Sequence, residues 1–233
     1  MKAIAVIPTY NEGGNIEALI RAILKADSGI HVVVVDDQST DGTADVVKGL
    51  LPNEKRAHLI EKTTLRNGRA AADIMGMQYA LKEGFDYIFQ MDADFSHSPE
   101  YIPDFLQATA KNDVVIGSRL INGGGIVGRG AGRNIITAIA NVYIRFVLGL
   151  KVRDCTSGYR CYKRNVLESI GLGGMMSTGP SLLEEILFAC RKRGYRIHEI
   201  PIIFKDRVAG KSKLGAKELL NVFLTVLKIR LRR

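Results

Sequence analysis

A chain of 233 residues with 46% hydrophobic content carries enough apolar mass for one α/β domain with appendages, which excludes a disordered protein. Thirty-three Lys and Arg against 24 Asp and Glu leave a formal charge of +9, favouring an anionic partner: nucleic acid, an acidic lipid surface or a phosphate-bearing substrate. Three cysteines, Cys155, Cys161 and Cys190, form no C-x-x-C pair and leave an odd thiol, so neither a zinc knuckle nor a disulfide framework is supported and a reducing cytosolic setting is expected.

Lys2 leads straight into an apolar run over residues 3–8, too short for a signal peptide and ended by proline, which reads as the first strand. Amphipathic helix-length and apolar strand-length segments then alternate: helix 15–25, strand 31–36, helix 41–50, strand 87–92, helix 99–111 and strand 114–117. The strands are β-branched and continuous rather than alternating, as parallel strands covered by helices on both faces require. Asp41 and Thr43 open the second helix, and Ser98-Pro99-Glu100 opens another with proline in its first turn.

A glycine-rich loop spans residues 122–132, followed by a helix over about 134–150, a strand at 157–162 and a helix near 181–193. No linker separates these parts, so one unit is expected over residues 1–213, with residues 214–233 as an appended helix. Ile135, Ile139, Tyr143, Phe146, Val147 and Leu150 share one helical face, open to either a core or a membrane reading. The apolar stretch 219–229 covers only about half of the ~20 residues that a membrane span needs. With basic residues on both sides it reads either as an interfacial helix drawn to anionic headgroups or as a helix that docks on the domain or on a partner subunit.

The chemistry concentrates where strands end. Asp92-Ala93-Asp94 follows the apolar run 87–91, and two carboxylates one residue apart raise each other's pKa unless a cation neutralises them, so a divalent metal is the natural partner. In doubly wound sheets ligands bind at the carboxyl ends of strands, and the other strands end in Pro8-Thr9-Tyr10-Asn11-Glu12 and Asp36-Asp37-Gln38-Ser39-Thr40-Asp41. The stretch from Gly123 to Gly128 fits G-x-G-x-x-G but lies late in the chain and away from a strand end, so a mobile loop over the substrate is expected there rather than a dinucleotide fingerprint.

These blocks, with Gly117-Ser118-Arg119, Arg133 and Thr137, Asp154 to Arg160, Glu185 and residues 204–213, resemble inverting nucleotide-sugar glycosyltransferases of the GT-A fold. Within them the resemblance is to dolichol-phosphate mannose synthases, over nearly the whole chain. It implies a single Rossmann-like α/β domain with a mainly parallel central sheet and helices on both faces. It also implies that Pro8, Tyr10, Glu12, Val35 and Asp37 line a nucleotide pocket. Asp92 and Asp94 would hold Mg or Mn beneath the diphosphate, with Ser96 standing where relatives can use a glutamine. His97 suits a helix-entry hydrogen bond better than a hard cation. Arg69 would face the diphosphate, Arg207 and Lys213 would add charge beside the donor, and Arg119, Arg133 and Thr137 would clamp the acceptor phosphate. Asp92, Asp94, Arg119 and Arg133 are the expected catalytic set.

A phosphate monoester has a second pKa of about 6, so such an acceptor can attack as a dianion without a protein base. The expected reaction is single-displacement transfer of mannose from GDP-mannose to polyprenyl or dolichyl phosphate, giving a β-linked product. UDP-glucose or UDP-N-acetylglucosamine is the alternative donor. The expected setting is the cytoplasmic face of a membrane, with the lipid surface and a membrane-anchoring protein as partners and no specific nucleic acid. A non-catalytic basic module that binds membrane or nucleic acid is the rival from another class, although aromatic stacking motifs and a helix-turn-helix are missing.

Overall fold

The computed structural model describes residues 2–63, 68–206 and 216–232. In chain order the strands are β1 (Ala3–Thr9), β2 (Ile30–Asp36), β3 (Ala57–Glu61), β4 (Tyr87–Gln90), β5 (Val114–Ser118), β6 (Gly125–Val127), β7 (Arg160–Lys163), β8 (Ile197–Pro201) and β9 (Ile203–Lys205). The helices are α1 (Ile16–Ala26), α2 (Thr43–Leu50), α3 (Arg69–Lys82), α4 (Ile102–Thr109), α5 (Ala131–Leu148), α6 (Arg164–Ile170), α7 (Leu182–Lys192) and α8 (Ala216–Leu231).

Seven strands form one sheet in the order β3-β2-β1-β4-β7-β5-β8, parallel throughout except for β7, which runs antiparallel to β4 and β5. The continuous apolar runs are explained by burial on both faces. Ile4, Val6, Val33 and Val35 point into one core with α3 and α7, while Ala5, Ile7, Val32 and Val34 point into the other with α1 and α4. Helix α3 lies hard against β1 because it has no side chain at Gly76, where a Cβ would sit 2.3 Å from Val6 Cγ1. Registers Ala3↔Ile30 and Ala3↔Tyr87 bring the carboxyl ends of β1, β2 and β4 to one rim.

The segment 99–111 divides into a 3₁₀ turn, Pro99–Tyr101, and α4; the 157–162 strand begins only at Arg160, because the residues before it turn toward the rim. Strands β3, β6, β8 and β9 are short and mixed in polarity, and nothing in the periodicity marks them. The glycine-rich loop is not a free lid: within it β6 pairs with β9, Gly125 N donates to Ile202 O at 3.0 Å, and a Cβ on Gly124 would come within 2.5 Å of the Ser118 carbonyl.

Helix α5 buries Asn141, Ile144 and Leu148, so the face expected to be its apolar side is divided. Tyr143 and Val147 are half-buried against the core, while Ile135, Ile139 and Phe146 face solvent, Phe146 at 88% exposure. Helix α8 docks on this helix and on α7 through buried Val226 and Ile229, and the Tyr143 ring lies 4.3 Å from that of Phe223. Burying two such aliphatic side chains contributes about 1.5–3 kcal/mol each, enough to seat the helix. Its other side leaves Leu224, Leu227 and Leu231 exposed.

At the opposite end of the sheet from the rim, His31 on β2 and His58 on β3 meet with ring nitrogens 3.1 Å apart and rings stacked, flanked by Phe85 and Tyr79. Burial and then the neighbouring His58 hold the His31 pKa down, and burial lowers that of His58.

Candidate active site

Three loops leave the rim, and each contains one non-glycine residue with positive φ: Asn11 after β1, Gln38 after β2 and Phe95 after β4. Left-handed backbone is tolerated by Asn but costs a residue such as Gln or Phe, and strain of this kind clusters at binding sites. Asp36 is the joint of the first two loops. Its carboxylate accepts from Thr9 Oγ1 at 3.0 Å, Ser39 N at 2.9 Å and Ser39 Oγ at 2.6 Å. Glu12 is tied in by Thr43, whose Oγ1 accepts from its backbone N at 2.9 Å.

The residues expected around the nucleotide fall into two groups. Pro8 is half-buried at the end of β1, Tyr10 is exposed, and Glu12 accepts from Asn15 Nδ2 at 3.0 Å. Val35, by contrast, is 0% exposed with its side chain in the core beside Gly76, so it supports the strand from within rather than lining an opening. Asp37 accepts from Lys62 Nζ at 2.7 Å. Lys62 is itself buried, a cation that the sequence pattern does not mark because its pairing with Asp37 depends on β3 lying beside β2.

At the end of β4, Asp92 and Asp94 face Arg69. Arg69 Nη2 donates to Asp92 Oδ1, and its Nε lies 3.5 Å from Asp73 Oδ2. Burial works against the charge on Arg69, but the carboxylates of Asp92, Asp73 and Asp94 outweigh it and keep its pKa above the ordinary value. Burial raises that of Asp73. His97 is buried, stacked on Tyr159 at 5.1 Å, and its Nδ1 accepts from Asp92 N at 3.0 Å. That bond leaves the proton on Nε2, and burial pushes the imidazole pKa down, so His97 is neutral and orients the Asp92 backbone.

The donor set fits a hard divalent cation. Asp92, Asp94 and Ser96 offer oxygen atoms, and among the described residues the buried Ser96 Oγ has no hydrogen-bond partner. Gly158 leaves room over them: a Cβ there would meet Asp92 Oδ1 at 3.6 Å and His97 Cε1 at 3.4 Å. Among the described residues no group of three or more His, Cys, Asp or Glu could hold a metal by itself. Magnesium-like cations accept this, being bound by one or two carboxylates while ligand phosphates and water complete the shell.

Across the rim lies an arginine cluster. Arg119, buried at the end of β5, places Nε and Nη2 on Asp154 at 2.7 Å each, and Nη2 also donates to Thr156 Oγ1 at 2.8 Å. Burial disfavours a charge on Asp154, yet the Arg119 fork holds its carboxyl below the usual range. The fork expected to be open for phosphate is therefore largely committed inside the protein, with Nη1 outside these bonds. Arg133 Nη1 donates to Asp206 at 3.0 Å, and Thr137 Oγ1 donates to the Arg133 carbonyl at 2.9 Å. Arg129, which sequence reading passes over between two glycines, joins them with Nε 3.6 Å from Asp206. Phe204 connects the two halves: its ring lies 5.8 Å from that of His97 and 5.4 and 5.2 Å from the Arg119 and Arg129 guanidiniums. Arg207 and Lys213 lie outside the described residues.

A rim of carboxylates thus faces a cluster of guanidiniums across one aromatic ring, and comparison with known proteins gives the class. The chain belongs to glycosyl transferase family 2, whose family model matches residues 4–171, and it is a glycosyltransferase of GT-A fold. It is 36% identical over 215 residues to an undecaprenyl-phosphate mannosyltransferase of Micrococcus luteus, covering 92% of this chain and 88% of that one. It is 34% identical over 227 residues to a polyprenol monophosphomannose synthase of Mycolicibacterium smegmatis, covering 97% and 85%. Among solved structures, glucosyl-3-phosphoglycerate synthase from Mycobacterium tuberculosis with Mn2+, UDP and glucosyl-3-phosphoglycerate superposes with a TM-score of 0.70 at 19% identity, over 98% of this chain and 78% of that one. At that identity the likeness is one of fold.

Proposed function

We propose that the protein transfers mannose from GDP-mannose to the phosphate of a polyprenyl or dolichyl lipid, inverting the α-linked donor to a β-linked product. The observation that carries this reading is the meeting at Phe204 of His97, which holds the Asp92 backbone, and the arginine cluster, in a chain 36% and 34% identical to proteins named as an undecaprenyl-phosphate mannosyltransferase and a polyprenol monophosphomannose synthase. Asp92, Asp94 and Ser96 would hold Mg or Mn, which when bound neutralises charge on the departing diphosphate.

Pro8, Tyr10, Glu12 and Asp37 form the nucleotide side, with Lys62 holding the Asp37 carboxylate in place. Arg69 keeps Asp92 from swinging away and adds positive charge where the diphosphate would lie. On the acceptor side Arg119, Arg133 and Thr137 hold the incoming phosphate and offset its repulsion from the donor. No general base is required, because the acceptor is already dianionic near neutral pH; His97, with Nδ1 engaged by backbone, is not placed to act as one. By resemblance Arg207 and Lys213 add to this charge.

A lipid acceptor calls for a surface that meets lipid. Ile135, Ile139, Val142 and Phe146 of α5 and Leu224, Leu227 and Leu231 of α8 are exposed apolar side chains on two packed helices, beside Lys228, Arg230 and Arg232. Apolar side chains edged by basic ones suit peripheral binding to an anionic, cytoplasmic membrane face, alone or with an anchoring protein. Among the described residues no helix is long and apolar enough to cross a membrane.

The test is a panel of GDP and UDP sugars with a short polyprenyl phosphate, in manganese, magnesium or chelator. Metal-dependent mannosyl transfer from GDP-mannose with inversion is expected. Retention of configuration, transfer undiminished in chelator, or use of UDP-glucose or UDP-N-acetylglucosamine instead would each overturn the corresponding part.

A further inference from the structure

Among the described residues two arginines, Arg129 and Arg145, have a buried Nε without a hydrogen-bond partner, and Arg129 is the one that shares the Asp206 carboxylate with Arg133. It leads into α5, with its side chain only 12% exposed. Nη1 donates to Thr137 Oγ1 at 3.3 Å, and the guanidinium lies 5.2 Å from the centre of the Phe204 ring. Among the described residues Nε is buried without a hydrogen-bond partner, and Asp206 Oδ2, 3.6 Å away, accepts from Arg133 at 3.0 Å. Two guanidiniums thus compete for one carboxylate, while the nearby Arg119 fork is occupied by Asp154. Burial, then the charges of Arg119 and Arg133, oppose the protonated form of Arg129, and Asp206 only partly offsets them.

A purely structural arginine would be expected to have its donors filled, as those of buried Arg160 are by the carbonyls of Ser157, Leu183 and Cys155. We propose that Arg129 is a third ligand of the acceptor phosphate, presenting Nε–H to a phosphate oxygen beside Arg119, Arg133 and Thr137. This rests on the acceptor reading above. A phosphate dianion between the three guanidiniums would supply the acceptor that Nε lacks and replace like-charge repulsion with charge-assisted hydrogen bonds. Phe204 would hold the Arg129 plane from one side, and a small turn of the side chain would bring its buried Nε–H to the ligand.

The test has two arms on the full chain. In the first, the arginine Nε–Hε resonances of the wild type are followed by NMR during titration with inorganic phosphate and, separately, with a short polyprenyl phosphate, the Arg129 signal being identified by its loss in Arg129→Lys. A saturable shift of that signal is expected with both. In the second, Arg129→Ala should raise the acceptor KM by about 10- to 100-fold, Arg129→Lys by less, with donor KM unchanged and the melting temperature close to wild type. An unmoved Arg129 signal with both anions overturns the proposal, as does an Arg129→Ala variant that loses kcat or stability while its acceptor KM stays at the wild-type value. If the wild type transfers to no lipid phosphate but its Arg129 signal still shifts with inorganic phosphate, the acceptor reading fails and the anion-binding role of Arg129 stands.

Discussion

Among the described residues the two halves of the rim differ in kind: one gathers carboxylates, the other guanidiniums. At the end of β4, among the described residues, the carboxylates of Asp92, Asp73 and Asp94 act together on the guanidinium of Arg69. Beyond Phe204, three guanidiniums, those of Arg119, Arg129 and Arg133, share the carboxylates of Asp154 and Asp206. Under the proposed function the first arrangement would take a cation and the second an anion, each half holding what the transfer needs on that side. Both halves pair most of their charges internally, which keeps the groups oriented without a ligand and lowers the reorganisation needed on binding.

Breaking the cation-seeking half should have the largest effect on turnover. Asp94→Ala is expected to lower transfer by at least about 10³-fold, matching chelator treatment of the wild type, while changing stability by no more than about 1 kcal/mol. A transfer assay with a parallel thermal melt measures both, and wild-type activity in the variant would remove Asp94 from the site.

The anion-seeking half should fail differently, through its scaffold. Asp154→Asn leaves Arg119 charged, buried and without its counter-ion, a loss of about 3–5 kcal/mol in urea unfolding. A change below about 1 kcal/mol would mean that Arg119 does not depend on Asp154.

A pH profile of stability probes groups outside both halves. Burial raises the Glu184 pKa to about 7 despite the nearby Arg160, so the folded protein keeps this proton longer than the unfolded chain does. Stability should therefore fall as pH rises from about 4.5 to 7 and level off above, by about 2–4 kcal/mol, and Glu184→Gln should remove that slope. The His31 and His58 pair acts in the other direction. Its lowered pKa values mean that the unfolded chain takes up protons first, so stability falls as pH drops below 6.5, and His58→Gln should flatten the acid side. Denaturant titrations at several pH values would show both slopes or reject them.

The smallest effect on the fold is expected at the exposed apolar face of α5, proposed above to meet lipid. Phe146→Ser should leave stability within about 0.5 kcal/mol, because the side chain is 88% exposed, yet weaken binding to anionic vesicles. Unchanged vesicle sedimentation would detach α5 from the membrane.

Much of this was legible along the chain because it is written in short-range pattern. Continuous β-branched runs ended by Asp36 and by Asp92-Ala93-Asp94 announce buried parallel strands with acidic ends, and those strands do bring their ends to one rim. The pairings that decide what each charge does were not legible. Arg119 and Asp154 are 35 residues apart, and they meet because β7 inserts antiparallel between β4 and β5 and carries the segment before it back to the rim. Lys62 reaches Asp37 only through the β2 to β3 register, and Arg129 gains meaning only when β9 places Phe204 and Asp206 beside it.

By itself the sequence determined the class of sheet, the strand ends where carboxylates collect and the family to which the chain belongs, because periodicity and motif order are local properties. Tertiary structure alone decided which cation faces which carboxylate, that Val35 is core, that the glycine-rich loop is held by β9, and that α5 turns apolar side chains outward. The reason is physical: the interaction of two charges depends on their separation in space and on the medium between them, and neither is set until strands from distant parts of the chain lie side by side.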